Sequence, residues 1–328
     1  MTSLTGDRVL ILPSDSGKNV VVPVGTVAEG DRCVIMTDTS GKPVVVKLNT
    51  LSVGNRVLVV PSNSGKKIII KSGASYLGGI ILMGGFPNNF SNDVWRSTDN
   101  GASWTQMTAN AEWSARYFHC SVAMPDRSIV LMGGHGASPA FKNDVWRSTD
   151  NGASWTQMTA SAGWSARDNF GGVVMPGGSI IIMGGWTGSA RKNDVWRSDD
   201  NGASWTPMTA NAEWSARNGH GGVVVPDGSI VVIGGYDGSN LKNDVWRSTD
   251  NGASWTQMTA SAGWSARFNA GGGVSIRNGG IILMGGYGTS PTFKNDVWRS
   301  DDNGASWTQM TASAEWSARS GSSVVIIL

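Results

Sequence analysis

A unit of 50 to 52 residues is repeated five times and occupies most of the 328-residue chain. The string Asn-Asp-Val-Trp-Arg-Ser marks each copy and begins at Asn92, Asn143, Asn193, Asn243 and Asn295. Every copy continues through a Trp-Thr pair to a Trp-Ser-Ala-Arg segment. A unit this short cannot bury an apolar core by itself, so its copies must pack against one another. The repeat therefore predicts an array of similar supersecondary units.

The apolar runs within a unit are short and end at turn residues. Four of them follow one another at residues 229–235, 244–248, 254–258 and 271–276. Four short strands in a repeat of this length are typical of a propeller blade. We therefore expect an all-β fold in which residues 73–328 form a five-bladed β-propeller.

The two ends of the array are complementary. The first unit starts at residues 76–85, which align with residues 277–286, so it lacks the strand that precedes this position in the later units. Residues 323–328 supply one extra strand after the fifth Ser-Ala-Arg segment. We expect this C-terminal strand to join the first blade and close the ring, because closure removes the exposed sheet edges.

Residues 1–72 differ in composition from the repeats. They contain no aromatic residue, whereas all 16 tryptophans lie beyond them, and nine Lys and Arg stand against five Asp and Glu. Three copies of a 24-residue pattern begin at Gly6, Gly30 and Gly54, and each pairs an apolar run with a second, β-branched run across a Ser-Gly-Lys turn. This pattern predicts a small domain of β-hairpins. Its thin core suggests an anchoring or assembly role in which a partner completes the burial.

Composition narrows the classes of function. The chain has 26 Lys and Arg, 24 Asp and Glu and a net charge of +2, so we expect no nucleic-acid partner. Met1 leads into a polar turn without a secretory signal pattern, and no apolar run is long enough for membrane insertion. Cys33 and Cys120 share no motif, which favours two ordinary thiols over a disulfide or a metal site.

Two known repeat patterns overlap in every unit. The double glycine after an apolar strand, the Asn-Asp-Val-Trp string and the later Trp resemble the kelch repeat. The stretch from Ser97 to Trp104 resembles the Asp-box of sialidase-like propellers and recurs in the other units. Both resemblances imply a propeller. The Asp-box implies a structural turn, with the aspartate accepting backbone hydrogen bonds, the glycine at positive φ and the Trp packed on its own blade. These aspartates are Asp99, Asp150, Asp200, Asp250 and Asp302.

Residues suited to catalysis or metal binding are sparse. His119, His135 and His220 have no spacing that indicates a metal cluster or a Ser-His arrangement. The Asp-box lacks the closing Glu and further acidic ligands of a calcium loop. We therefore predict no catalytic residue, no metal and no cofactor. An alternative is a glycan-active propeller of sialidase type, for which Asp168 and Asp237 are the available carboxylates.

Differences among the five copies are concentrated in two loops, one after Ser-Ala-Arg and one after the double glycine. By analogy with kelch propellers, both loops open onto one face around the central channel. Aromatic and Asn or Asp side chains on adjacent loops suit a recognition surface, although drift of exposed loops remains the alternative. The predicted ligand-binding residues are Phe86, Tyr117, Phe118, His119, Asp168, Phe170, Trp186, His220, Tyr236, Asp237, Phe268 and Tyr287.

One arginine per unit lies beneath these loops. The five arginines could bind an anionic group through charge-assisted hydrogen bonds. Alternatively each could have a structural role, paired with a backbone carbonyl or with an Asp of a neighbouring blade. They are Arg116, Arg167, Arg217, Arg267 and Arg319.

The leading hypothesis is a non-enzymatic surface protein of a virion or phage-like particle, such as a tail fibre, spike or capsid decoration. Residues 1–72 would bind other particle proteins, and the propeller would bind a glycan or protein on the host surface. A display protein without a signal peptide fits such a location. A cytoplasmic kelch scaffold that binds a peptide is the alternative from a different class. Self-association of the chain is left open.

Overall fold

The chain divides into two compact units, Met1–Gly79 and Ile80–Leu328, close to the boundary predicted after residue 72. The computed structural model describes the backbone of five strands in the first unit, followed by residues 79–85, 89–99, 101–269, 273–276 and 279–320. All regular structure in this described part is β, and it holds no helix that could span a membrane. The all-β class predicted from the sequence is confirmed.

The first unit contains two hairpins in the places that the 24-residue pattern predicts. Its strands are β1 (Val9–Leu10), β2 (Cys33–Thr37), β3 (Pro43–Lys47), β4 (Arg56–Pro61) and β5 (Lys67–Ser72). Strand β2 is antiparallel to β3, and β4 is antiparallel to β5. Strand β1 runs parallel to β2. The second run of the first copy, residues 20–22, lies outside the described residues.

The second unit consists of five blades in a β-propeller arrangement. The first blade contains β6 (Ile80–Gly85), β7 (Ser91–Ser97) and β8 (Thr105–Thr108). The second contains β9 (Arg116–Tyr117), β10 (Cys120–Ala123), β11 (Ile129–Gly136), β12 (Phe141–Ser148) and β13 (Thr156–Thr159). The third contains β14 (Gly171–Val174), β15 (Ile180–Met183), β16 (Val195–Ser198) and β17 (Thr206–Thr209).

The last two blades repeat this arrangement, and the neighbouring strands that pair within each of the five blades are antiparallel. The fourth contains β18 (Gly221–Val224), β19 (Ile230–Tyr236), β20 (Leu241–Ser248) and β21 (Thr256–Thr259). The fifth contains β22 (Arg267–Phe268), β23 (Gly273–Ser275), β24 (Ile281–Met284), β25 (Tyr287–Gly288), β26 (Val297–Ser300) and β27 (Thr308–Thr311). Strands β10, β14, β18 and β23 are the innermost strands of blades two to five, and each contacts the next.

The hydrophobic core lies between blades rather than within them. At the junction of the first two blades, Val94 and Trp113 pack with Leu131 and Trp155 of the second blade. Equivalent clusters fill the next three junctions. Consecutive residues of the second strand, such as Val130 and Leu131, are fully buried on opposite sides of the blade. This explains why continuous apolar runs, not alternating ones, mark these strands.

The turns that resemble an Asp-box in sequence have most of the expected geometry. Asp150 accepts a hydrogen bond from the backbone N–H of Ser154 at 3.0 Å, and Gly152 has a φ of +90°. The position of the tryptophan differs from the expectation. Trp155 packs edge-on against Trp113 of the preceding blade, with ring centroids 6.0 Å apart. The same turn places Gly152 against Val94 of the preceding blade.

The predicted closing strand, residues 323–328, lies outside the described residues. The first blade shows the opening that this prediction requires, since its sheet has three described strands in the order β6-β7-β8 where the later blades have an additional inner strand.

Candidate functional site

Four of the five arginines that follow Trp-Ser-Ala in the repeats are buried at the blade junctions. Arg217 donates to both carboxylate oxygens of Asp244, which lies in strand β20, at 2.6 and 2.8 Å. It also donates to the backbone carbonyls of Gly234 and Ser215 at 2.9 and 3.0 Å. Arg116, Arg167 and Arg267 repeat this arrangement with Asp144, Asp194 and Asp296.

These pairs correct the ligand-binding role predicted for the arginine ring. A guanidinium that is completely buried and already bonded to a carboxylate and two carbonyls has no donor to offer a ligand. Burial alone would raise the pKa of Asp244, but the hydrogen bonds and charge of Arg217 and the hydrogen bond from Trp246 hold it below its usual value. Arg319 differs, because its side chain is exposed and bonds to Ser317.

The variable loops bring aromatic side chains together along one face. In the first aromatic group, Tyr117 stacks on Phe90 with ring centroids 5.6 Å apart and lies 5.1 Å from His135. Phe118 lies 4.6 Å from Tyr117, and Phe141 meets His135 edge-on at 4.8 Å. The group spans the first two blades, and Phe118 is 48% exposed.

The second aromatic group continues along the third to fifth blades. The Arg191 guanidinium lies between Trp186 and Tyr236, 4.8 and 4.5 Å from the two ring centroids. Tyr236 contacts Phe268 at 6.2 Å, and Phe268 contacts Tyr287 at 5.1 Å. Phe293 ends this series, 5.6 Å from Tyr287. Tyr287 and Phe293 are 38% and 47% exposed, so the group presents apolar surface to solvent.

Asp168 joins the two aromatic groups. Its carboxylate lies 3.4 Å from His135 Nδ1, and its backbone forms a bridge with Trp186. Burial raises the pKa of Asp168 to about 6, against the opposing effect of His135. We call the joined surface the aromatic belt; it comprises Phe90, Tyr117, His135, Phe141, Trp186, Arg191, Tyr236, Phe268, Tyr287 and Phe293.

Three predicted recognition residues are core residues instead. Phe170 packs on Trp164, and His220 occupies the corresponding place on Trp214, both with ring centroids 5.8 Å apart. His119 packs on Trp113 in the same way. Burial lowers the pKa of His119 to about 4 and that of His220 to about 3, so both rings are neutral at pH 7. Each of the three residues immediately precedes an innermost strand, β10, β14 or β18.

The remaining predicted residues are placed as follows. Asp237 forms an ion pair with Lys242 at 2.5 Å, which commits its carboxylate to the loop. Although burial opposes it, bonding to Lys242 and to loop amides lowers the pKa of Asp237 to about 2. Phe86 lies outside the described residues. The described residues contain no group of His, Cys, Asp or Glu that could hold a metal ion.

Sequence reasoning missed five members of the belt, one of which is His135. Phe90, Phe141 and Phe293 and Arg191 all lie at the far end of the loop that follows the double glycine. In three of the units this residue immediately precedes a lysine that the repeat copies, and that pattern could have identified it.

The chain was compared with known proteins. Residues 71–270 match the family model described as the KLHDC2/KLHL20/DRC7 Kelch-repeats domain. This match covers more than half of the chain and includes the first three complete units. The curated proteins contain no match to the chain. With the repeat, the blades and the family model in agreement, the chain belongs to the kelch-repeat family.

Proposed function

We propose that the propeller binds a polypeptide partner and that the aromatic belt is the binding surface. The observation that carries this proposal is the clustering of the belt residues. Ring contacts and the Arg191 guanidinium hold the two aromatic groups together, and Asp168 lies between the groups. Tyr287 and Phe293 of the belt and the adjoining Phe118 are more than one third exposed. Large apolar side chains that are clustered and exposed are typical of interaction sites.

A binding role also agrees with the charges on this face. Asp168 and Asp237, the two carboxylates available to a glycan-active enzyme, are engaged by His135 and Lys242 respectively. We therefore propose a non-enzymatic function.

The kelch family match favours the interaction scaffold over the virion surface protein that the sequence suggested first. An anchoring role for residues 1–72 and binding of a host-surface glycan stay predictions. They are separate from the proposal for the belt and are tested separately.

Three forms of the full chain test this function. The wild type is compared with the double variant Tyr287→Ser/Phe293→Ser and with Gln157→Ser, a control at an exposed position on β13. Each form is used as bait in extracts of the native cells, and retained proteins are quantified by mass spectrometry. We expect a protein retained by the wild type and the control to lose about tenfold or more in the double variant, as for removal of interface hot spots.

The same three forms are applied to a glycan array. Proteins retained equally by the double variant and the wild type would contradict the proposal. Loss of glycan binding alone in the double variant would contradict it as well and would favour the host-surface glycan hypothesis.

A further inference from the structure

The arginine of each Asn-Asp-Val-Trp-Arg-Ser string is the penultimate residue of its strand and lies next to the turn that follows. We call these residues the strand-end arginines, and four of the five form an ion pair with an aspartate. For example, Nη2 of Arg197 lies 2.8 Å from Asp199 Oδ1, and Nη2 of Arg247 lies 2.6 Å from Asp227 Oδ2. The strand-end arginines are Arg96, Arg147, Arg197, Arg247 and Arg299.

The paired aspartate comes from one of two places in the repeat. In the second and fourth blades it is Asp126 or Asp227, in the turn that precedes the second strand. In the third and fifth blades it is Asp199 or Asp301, the residue after the serine of the string. Each of these four units has an acidic residue at only one of the two places. What the four sites share is therefore a carboxylate on the arginine, whichever side it comes from.

The first unit has no acidic residue at either place. Its turn has Leu77 at the position of the turn aspartate, and Thr98 follows the serine of the string. Arg96 accordingly forms no ion pair or hydrogen bond with the described residues. Of the five strand-end arginines, Arg96 alone lacks a carboxylate within the described part of the chain.

One edge of the Arg96 guanidinium lacks the acceptors that the other blades provide. In the second blade, Arg147 donates from Nε to Ser128 Oγ at 3.0 Å and from Nη2 to Asp126. Gly79 takes the place of that serine in the first unit. The Nε of Arg96 is buried and has no hydrogen-bond partner. A buried donor without an acceptor is costly, so an acceptor from elsewhere would stabilise this edge.

We propose that Arg96 binds a carboxylate that the first unit does not itself contain. One carboxylate oxygen accepts a hydrogen bond from Nη2 and the other accepts one from Nε, as in a bidentate arginine–carboxylate pair. The site lies near the last residue of β7, whereas Phe90 of the aromatic belt precedes its first residue. The inference therefore goes beyond the proposed function and does not depend on it.

Two sources of the carboxylate are distinguished by the test. One is a separate molecule, for which acetate is the probe. The other is the chain itself. In a chain expressed with Leu328 as its last residue, Leu328 aligns with Pro125, so its terminal carboxyl group aligns with the turn that contains Asp126 in the second blade. Adding two glycines after Leu328 moves that carboxyl group away.

The repeat supplies a variant that fills the site and a matched control. Thr98→Asp introduces the residue of the third and fifth units at an exposed position and gives Arg96 a carboxylate of its own. Thr149→Asp makes the same exchange at an exposed position of the second blade, where Arg147 is already paired with Asp126.

The experiment records the NMR signals of the arginine Nε–H groups of the full chain, with the Arg96 signal assigned by its loss in Arg96→Gln. Sodium acetate replaces sodium chloride at constant ionic strength. If a separate molecule is the source, we expect the Arg96 signal to shift with half-saturation at about 10–100 mM acetate, the affinity of one charge-assisted pair. If the chain is the source, we expect the signal to shift when the two glycines are added.

The variants decide whether the response belongs to the site. We expect Thr98→Asp to abolish whichever response the wild type gives, and Thr149→Asp to retain it. An Arg96 signal that responds to neither acetate nor the glycine extension would overturn the inference. Equal responses in Thr98→Asp and Thr149→Asp would also overturn it, as would a larger response to sulfate than to acetate, because the other four sites take carboxylates.

Discussion

At the scale of single residues, the described part of the propeller contains four buried arginine–aspartate pairs. Each joins the end of one repeat to the Asn-Asp-Val-Trp string of the next, 27 to 29 residues away. The aspartate also accepts from the indole of the Trp two residues later, at 2.8 Å in Asp244. Removal of one partner would leave a buried charge without compensation, which is more costly than the loss of an exposed pair.

This difference gives a prediction for Asp244→Asn. The variant leaves Arg217 buried without a carboxylate, so we expect it to lower the free energy of unfolding by about 3–5 kcal/mol. Asp301→Asn is the control, because the Asp301 side chain is 63% exposed in its pair with Arg299 and its loss should cost at most about 1 kcal/mol. Urea unfolding followed by tryptophan fluorescence measures both. Equal effects would argue against a structural role for the buried pair.

The buried histidines predict a pH dependence. The folded state holds the pKa of His220 near 3, whereas the unfolded chain titrates near the ordinary value of 6.5. Below pH 6.5 the unfolded state therefore binds the extra proton, and the stability of the protein falls as the pH is lowered towards 3.

Substitution of His220 by Phe, the residue of the third blade at this position, should remove that contribution. We expect His220→Phe to have a shallower decrease in melting temperature between pH 7 and pH 4 than the wild type. The converse variant, Phe170→His, should steepen it. Parallel pH profiles for all three proteins would contradict the assignment.

At the scale of the element, the Ser-x-Asp-x-Gly turn of each repeat acts as a spacer between blades. In the third blade, Ser198 Oγ accepts the N–H of Gly202, and Asp200 accepts the N–H of Ser204. This geometry places the Gly202 backbone against Val145 of the preceding blade. The turn therefore sets both the local chain reversal and the approach of two blades.

Gly202→Ala tests this double role. Its φ of +91° is unfavourable for alanine, and the new Cβ would lie 2.5 Å from Cγ1 of Val145. We expect a loss of about 1–3 kcal/mol in unfolding free energy from the backbone strain and overpacking. The control is Gly177→Ala, in a turn with no atom within 4 Å of the new Cβ. Similar stability of the two variants would show that the turn does not contribute to blade packing.

At the scale of the whole propeller, four blade junctions repeat the same contacts. The first and fifth blades contain the corresponding residues for a fifth junction. Each formed junction holds a tryptophan pair with centroids 5.9–6.0 Å apart. The corresponding residues at the fifth are Trp316 and Trp104, and Trp104 is 40% exposed. Asp93 and Arg319 occupy the positions that form the buried ion pair at the other junctions. Arg319 already bonds to Ser317 as the buried arginines bond to their serines.

Ring closure therefore predicts an ion pair between Asp93 and Arg319. We expect Asp93→Arg to destabilise the propeller by placing two cations together, and Asp93→Arg/Arg319→Asp to recover part of the lost stability. Melting temperatures give the double-mutant cycle, and light scattering gives the mass. Recovery at a monomer mass, independent of concentration, supports closure within one chain. Additive effects of the two substitutions would contradict the pair.

Much of the fold was accessible from the sequence because each repeat must present the same contacts to its neighbours. The spacing of the Asn-Asp-Val-Trp strings predicts five blades, and the apolar runs predict the strands of each blade. The structural alternative for the arginines follows from their place in the repeat, although Arg116 and its partner Asp144 lie in strands of the same blade instead of neighbouring blades. The residues that make these shared contacts recur in all five copies of the repeat, so the sequence pattern identifies them.

The position of each variable residue depended on the tertiary structure. Phe118, His119 and Phe170 come from equivalent loops, yet Phe118 is exposed and the other two lie against junction tryptophans. The side chain of the residue just before an inner strand lies in the blade junction, whereas the side chain of Phe118, one position earlier, lies in solvent. The belt likewise joins residues of different repeats, such as Arg191 and Tyr236, through space. A repeat pattern specifies the contacts that all copies share, and only the folded chain specifies which differing residues become neighbours.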